Sequence, residues 1–195
     1  MDPCGFEDFR RHLDNLIAPF HYHRQKDGII EFATYHTSLT SATPVLTLEH
    51  IWPLLRRKIA RAQDFVGGAL VATDVLSTSV CPVTGNPVTS REVTFAPEKG
   101  GHKMREDCVE YYPVKVEFLQ PGENGGRVQN IVSDGADGAL YMTYTFEWPH
   151  PELEGDEEGL KKKLQQEKAM AKVAVEETIK AMREMVVDGR WQEKF

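Results

Sequence analysis

Residues 156–188 read DEEGLKKKLQQEKAMAKVAVEETIKAMREMVVD, and this stretch decides the fold. Its apolar residues recur three, four or seven positions apart, so they share one face of a helix. They are Leu160, Leu164, Ala171, Val175, Ile179, Met182 and Val186. Acidic residues at 156–158 favour the positive end of the helix dipole, and Gly189 suits a left-handed stop. A helix of about 33 residues spans ~50 Å, so it needs a broad partner surface, which here is the strand-rich region before it.

The region before the helix alternates between apolar and polar residues, as β-strands do. Turn residues divide it into six predicted strands, at 70–80, 88–95, 103–112, 114–120, 128–133 and 140–148. Residues 29–37 predict an earlier strand, and residues 47–62 predict a helix capped by Thr47, in which Pro53 should cause a late start or a kink. Hairpin-length links between the six strands indicate an antiparallel meander.

Composition and charge exclude several classes of protein. The net charge is −7, and the one basic block is the short run Lys161–Lys163, so nucleic acid binding is disfavoured. No apolar run is long enough for membrane insertion, and we expect a cytoplasmic protein. The distant Cys4, Cys81 and Cys108 are expected to be free thiols, and no spacing predicts a metal site. No phosphate-binding loop is present, so no cofactor is expected, whereas the choice between monomer and homodimer stays open.

Several segments resemble one known superfamily. They are Thr43–Thr47, Arg91–Phe95, Tyr112–Val116, Asn130–Ser133 and Tyr141–Trp148. They are similar to the START and birch-pollen-allergen (SRPBCC) superfamily, in particular to a small fungal branch associated with secondary-metabolite gene clusters such as that for acetylaranotin. The resemblance covers residues 28–189. It implies an α+β helix-grip fold, in which a curved seven-stranded antiparallel sheet wraps a long C-terminal helix around an internal cavity, and it supplies no catalytic motif.

The resemblance also divides the chain into two parts. Residues 28–195 are expected to form the helix-grip domain. Residues 1–27 are an N-terminal extension whose apolar spacing of three and four predicts a short amphipathic helix.

Arg91 is the most informative candidate for the cavity. It shares a strand face with Val93 and Phe95, so its side chain should point inward. A buried guanidinium needs a carboxylate or an anionic ligand. Two interpretations stay open: Arg91 polarises a ligand carbonyl or stabilises an enolate, or it pairs with Glu92 or Glu106 near the rim.

Two further strands supply the other candidates. On strand 140–148 the inward set contains the Tyr144 hydroxyl, which bonds either to a ligand or to the backbone. The inward face of strand 103–112 is undecided between Glu106, as a general base, and the pair Asp107 and Tyr111. The predicted catalytic residues are Arg91, Glu106 and Tyr144. The predicted ligand-binding residues are Phe95, Tyr112, Asn130, Met142, Phe146 and Trp148.

These residues and the resemblance together favour an enzyme of fungal secondary metabolism. It would bind a small apolar polyketide- or peptide-derived intermediate and promote cyclisation, dehydration or isomerisation by acid/base catalysis without a cofactor. Two alternatives are a non-catalytic carrier of a lipid or metabolite, and an interaction domain like those of Hsp90 activators.

Overall fold

The structure is a computed structural model that describes residues 24–25, 28–122, 125–136 and 138–194, with side chains from residue 35 onward. The amphipathic helix predicted within residues 1–27 therefore lies outside the described residues. The division into an extension and a domain stays a prediction.

The described residues form one antiparallel sheet, two α-helices and four short 3-10 helices. The elements in chain order are β1 Arg24–Gln25, β2 Gly28–Ser38, α1 Leu48–Ala60, β3 Leu70–Val80, β4 Pro87–Phe95, β5 Lys103–Tyr111, β6 Lys115–Leu119, β7 Arg127–Asp134, β8 Leu140–Pro149 and α2 Glu157–Asp188. The strand order is β1-β2-β8-β7-β6-β5-β4-β3, with every pair antiparallel. The predicted seven-stranded helix-grip sheet is thus confirmed as β2–β8, and β1 adds a two-residue pair at its edge.

The long helix is built as its sequence predicts. The Asp156 carboxylate accepts a hydrogen bond from the Gly159 backbone N–H at 2.9 Å, and Gly189 ends the helix with φ 85°. Its inward face buries Ala171, Val175 and Met182 against the concave side of the sheet. This layer of helix on sheet forms the main hydrophobic core.

One buried polar pair fastens the first half of α2 to the end of β8. Glu167 lies on the inward face of the helix and is 5% exposed. Its Oε1 lies 2.8 Å from Nε2 of His150, and Nδ1 of the same ring lies 3.1 Å from Glu152 Oε1. Position 167 follows the helical spacing of the buried face, together with positions 160, 164 and 171, but a glutamate at such a position does not by itself indicate a buried partner.

Helix α1 lies in the connection from β2, next to the edge strand β1, to β3, the strand at the opposite edge of the sheet. It begins at Leu48, directly after the predicted cap Thr47, so the late start expected from Pro53 is wrong. Pro53 lies inside the helix at its second turn. At the C-terminal end, Arg57 donates to Asp64 and Glu193, which ties α1 to the last turn of the chain.

Two other expectations can be compared with the structure. Among the described residues, no helix is both long and apolar enough to cross a membrane, and the cytoplasmic location stays a prediction. The expectation of three free thiols is wrong for Cys81, which is disulfide-bonded, whereas Cys108 is free and buried.

Candidate functional site

A cavity of about 640 Å³ lies between the concave face of the sheet and the middle of α2. Its walls come from strands β3 to β8, from the end of α1 and the segment that follows it, and from α2. The aromatic and aliphatic side chains of these walls are Val66, Leu70, Val93, Phe95, Met104, Phe118, Val128, Phe146, Trp148, Met170 and Val173. A mostly apolar cavity with a few polar groups is typical of small-molecule sites.

The mouth of the cavity lies where α2 faces the β4–β5 connection. Met170 and Val173 of α2 are 52% and 56% exposed there. On the opposite side are Lys99 and His102, both exposed, and the His102 ring stacks on Phe95 with centroids 4.2 Å apart. An apolar molecule can therefore reach the cavity past side chains that are already in contact with water.

The most unusual group at the inner end is Lys58, from the last turn of α1. Its side chain is 7% exposed and lines the cavity. The Nζ atom lies 3.2 Å from Asn130 Oδ1, 3.0 Å from the Tyr144 hydroxyl and 3.5 Å from Thr178 Oγ1. Among the described residues, no carboxylate forms an ion pair with it. A buried amine with only neutral partners is rare, because an uncompensated charge away from water is costly.

The surroundings of Lys58 favour its neutral form. Burial, with the charge of Arg91 as the second cause, lowers the pKa of Lys58 to about 7, and Glu106 opposes this shift. The amine also lies 4.6 Å from the centroid of the Tyr144 ring, a contact that favours the charged form. Burial dominates, so near neutral pH this amine is present in both protonation states.

Arg91 and Glu106 form a buried ion pair beside Lys58. Arg91 Nε and Nη2 donate to Glu106 Oε2 at 2.9 and 2.6 Å, and the two residues are 4% and 6% exposed. Arg91 Nη1 donates to the backbone carbonyls of Lys58 and Ile59 at 2.6 and 2.9 Å. The guanidinium therefore holds the last turn of α1, and with it Lys58, against the sheet. The pairing of Arg91 with Glu106 is observed, inside the cavity wall rather than at the rim, and a role of Arg91 toward a ligand carbonyl or enolate stays a prediction.

Tyr144 completes the inner end. It is 1% exposed, and burial raises the pKa of its hydroxyl, an effect that a hydrogen bond with Thr178 opposes. A neutral Lys58 can accept a hydrogen bond from this hydroxyl, whereas a charged Lys58 donates to it. The pair can thus relay a proton between the amine and a ligand oxygen in the cavity.

The structure also decides which face of β5 is inward. Met104 and Glu106 line the cavity, so the alternative in which Asp107 and Tyr111 do so is wrong. On the convex side, Asp107 accepts a hydrogen bond from Ser90 at 2.5 Å, and Tyr111 donates to Glu117 at 3.0 Å. Glu106 Oε2 accepts two hydrogen bonds from Arg91, so only the other carboxylate oxygen could take a proton from a ligand. The general-base role of Glu106 stays a prediction.

The predicted ligand-binding residues divide into two groups. Phe95, Phe146 and Trp148 line the cavity, and the last two rings stack with centroids 4.8 Å apart. Tyr112 does not line the cavity, because β5 ends at Tyr111 and strand alternation no longer applies to the next residue. The Tyr112 side chain is 77% exposed, and its ring contacts that of Trp52.

Met142 and Asn130 are also not among the lining residues. Met142 points inward but packs in the core opposite Val132, because the cavity occupies only the other end of the space between sheet and helix. Asn130 is fully buried behind Lys58 and reaches the site only as a hydrogen-bond acceptor for the amine.

Lys58 is the functional candidate that sequence reasoning missed. A signal existed, because Ile51, Leu54, Leu55, Lys58 and Ile59 are spaced as one helix face, and the other four are apolar and buried. Within the described residues, no group of three or more His, Cys, Asp and Glu side chains is arranged to hold a metal ion.

Comparisons with known proteins agree with this architecture. Residues 33–189 match the protein family described as AtaL, acetylaranotin biosynthesis cluster protein L. No curated protein matches the chain by sequence.

Three solved structures illustrate the likeness in fold. A protein of unknown function from Staphylococcus aureus, SA2116, has a TM-score of 0.58 at 8% identity, over 86% of this chain and 100% of that chain. Norcoclaurine synthase from Thalictrum flavum has a TM-score of 0.53 at 13% identity, over 89% of this chain and 98% of that chain. The di-domain ARO/CYC StfQ from the steffimycin biosynthetic pathway has a TM-score of 0.54 at 10% identity, over 83% of this chain and 54% of that chain.

The chain thus spans about half the length of StfQ and of a second di-domain ARO/CYC, BexL, for which the share is 49%. At these identities the likeness shows the fold alone.

Proposed function

The chain belongs to the family of acetylaranotin biosynthesis cluster protein L and has the helix-grip fold of the SRPBCC superfamily, and we propose that it is a cofactor-independent enzyme of secondary metabolism. Its substrate is a small apolar biosynthetic intermediate that carries a carbonyl group. The reaction is a cyclisation, dehydration or isomerisation driven by proton transfer.

The observation that carries this proposal is the position of Lys58. An apolar cavity with an amine at its inner end binds the apolar body of a ligand and places a polar atom against the amine. Because burial lowers the pKa of Lys58 to about 7, the amine can both take and return a proton near neutral pH. The relay through Tyr144 supplies the second proton-transfer group.

In this mechanism the ligand carbonyl accepts a hydrogen bond from the charged Lys58 or from Tyr144. That bond strengthens as an enolate forms, so it stabilises the transition state more than the bound substrate. Arg91 contributes by fixing the last turn of α1, and its positive charge beside the site also favours the developing oxyanion. Proton transfers of this kind contribute roughly 10²- to 10⁴-fold each.

Support for a biosynthetic role comes from the family and from the fold. The family is described by a biosynthesis cluster, and the similar structures include an ARO/CYC protein of a biosynthetic pathway and a synthase. A carrier function would need the same apolar walls, yet it gives no reason for an amine buried without a carboxylate.

Two measurements test the proposal. Native mass spectrometry of the purified protein, followed by organic extraction, asks whether an apolar metabolite is retained at near one-to-one occupancy. Proton exchange at the α-carbon of 2-tetralone in D₂O, followed by NMR, asks whether the site promotes enolisation. We expect wild-type protein to accelerate exchange and the Lys58→Met variant to lose roughly 10²-fold of that acceleration.

The control is Lys162→Met, which removes an exposed amine of α2 that does not line the cavity and should keep the wild-type rate. Binding of 2-tetralone without accelerated exchange would favour the carrier. A protein that retains no metabolite and binds none of a panel of aromatic ketones would favour the interaction domain.

A further inference from the structure

The Lys58 amine can act on a carbonyl in a second way, which rests on the proposed function because it uses the same cavity and substrate class. A lysine amine becomes a nucleophile toward carbonyl carbon when it is desolvated and lacks a neutralising carboxylate. Both conditions hold here, since Lys58 is 7% exposed and its hydrogen-bond partners are the neutral Asn130, Tyr144 and Thr178. The charged groups that face it are Arg91, which is itself paired, and Glu106, which pairs with Arg91.

The lone pair of the amine also has a defined place. In the neutral form two N–H groups can donate to Asn130 Oδ1 and Thr178 Oγ1, which leaves the lone pair toward the Tyr144 hydroxyl and the cavity. The last turn of α1 is held by Arg91, so the backbone from which the amine extends is fixed. A nucleophile held in a fixed position at the inner end of the cavity is already oriented toward the carbonyl group of a bound ligand, which lowers the entropic cost of the reaction.

We infer that Lys58 forms a covalent iminium with an apolar aldehyde or ketone held in the cavity. The amine lone pair attacks the carbonyl carbon, and the C=O π pair moves to the oxygen, which takes a proton from Tyr144. The nitrogen loses one proton to the Tyr144 oxygen, which gives the neutral carbinolamine. Its hydroxyl then leaves as water, protonated by Tyr144, while the nitrogen lone pair forms the C=N bond. This step gives the iminium, water and the Tyr144 phenolate, and return of the N–H proton to the phenolate gives the neutral imine. The overall sum is amine plus carbonyl to imine plus water, with no oxidation or reduction.

The iminium explains why a neutral amine is useful in this apolar site. A protonated C=N group draws electrons more strongly than a carbonyl, so the α-carbon loses its proton more readily, which cyclisation and isomerisation both require. The carboxylate of Glu106 lines the same cavity as the candidate acceptor of that proton. The walls admit apolar carbonyl compounds, with Phe118 and Phe146 beside Lys58 and Tyr144.

Reductive trapping in the full wild-type chain tests the inference directly. The protein is incubated with 2-tetralone and sodium cyanoborohydride near pH 7, digested, and mapped by mass spectrometry. An iminium reduced at Lys58 adds the mass of the ketone less one oxygen atom. We expect the Lys58 peptide to be labelled at least about tenfold faster than any other lysine peptide, because surface amines are almost fully protonated at this pH.

Two comparisons separate failure of this inference from failure of the proposed function. The alcohol 2-tetralol, which cannot form an imine, should compete with the ketone and suppress labelling of Lys58. Labelling spread over surface lysines with Lys58 unmodified, while 2-tetralone still binds and its α-protons still exchange faster, would overturn the covalent step and leave the acid/base function standing. If 2-tetralone neither binds nor exchanges, both proposals fail.

Discussion

Replacing Lys58 with methionine should change how the free energy of unfolding depends on pH. Methionine has a similar length and no charge, so it fills the same space without a titrating group. Burial lowers the pKa of Lys58 from 10.5 to about 7 in the folded protein. In the unfolded chain the amine returns to its ordinary value, so between these two pH values the unfolded state binds more protons than the folded state.

The sign follows from that difference. The cost of burying the amine is fully present below about pH 7, where the amine is charged in both states. It is released as the pH rises toward 10.5, so the wild-type protein gains stability relative to Lys58→Met over that window. The whole shift corresponds to roughly 5 kcal/mol, and the part released between about pH 6 and about pH 9 is roughly 3 kcal/mol.

Urea unfolding followed by tryptophan fluorescence at a series of pH values measures this quantity. The free energy of unfolding of wild type minus that of Lys58→Met should rise by roughly 3 kcal/mol from about pH 6 to about pH 9. Subtracting the variant cancels groups that titrate equally in both proteins. Lys162→Met, which removes an exposed amine of α2, should show no such rise. A difference that stays flat within about 1 kcal/mol would refute the desolvated, partly neutral amine on which both proposals depend.

Three other changes test the remaining architecture. Arg91→Met should lower the free energy of unfolding by roughly 3–5 kcal/mol in urea titrations, because it leaves Glu106 buried without its cation; a loss under about 1 kcal/mol would contradict the positioning role of Arg91. His150→Ala should lower the free energy of unfolding by roughly 2–4 kcal/mol, because Glu167 loses its buried partner. The double variant His150→Ala with Glu167→Leu should lose less stability than His150→Ala alone, and additive losses in this double-mutant cycle would argue against the pair. Val173→Trp should narrow the cavity mouth and slow the association of 2-tetralone roughly tenfold in stopped-flow measurements, without lowering the melting temperature. An unchanged association rate would place the mouth elsewhere.

Much of the fold could be predicted because its signals are local. The strand predicted at 70–80 is β3, and the other five strands of the meander were placed within one or two residues of their observed ends. The long helix followed from apolar spacing, from the acidic residues at 156–158 and from Gly189, and each of these signals acts on the nearest turn of backbone. The first helix was predicted from Thr47 onward, and of the two effects expected from Pro53 only the late start is wrong.

The candidate site was predicted less completely, because strand alternation gives a face but not a position along it. Alternation was enough for Arg91, Phe146 and Trp148, which line the cavity. It could not tell that Met142, on the same inward face, lies where the core is filled, nor that β5 ends before Tyr112.

The sequence by itself determined the order of elements, the class of fold and the existence of an inward face, since these depend on residues close together in the chain. Only the tertiary structure decided that Lys58 and Glu167 are buried, because a charged residue on an apolar helix face can extend to water or turn inward. The partners decide between these outcomes: Asn130 and Tyr144 come from strands 72 and 86 residues away, and they meet the amine only after the sheet has closed over α1. A site built from such distant groups becomes visible only when the chain is folded.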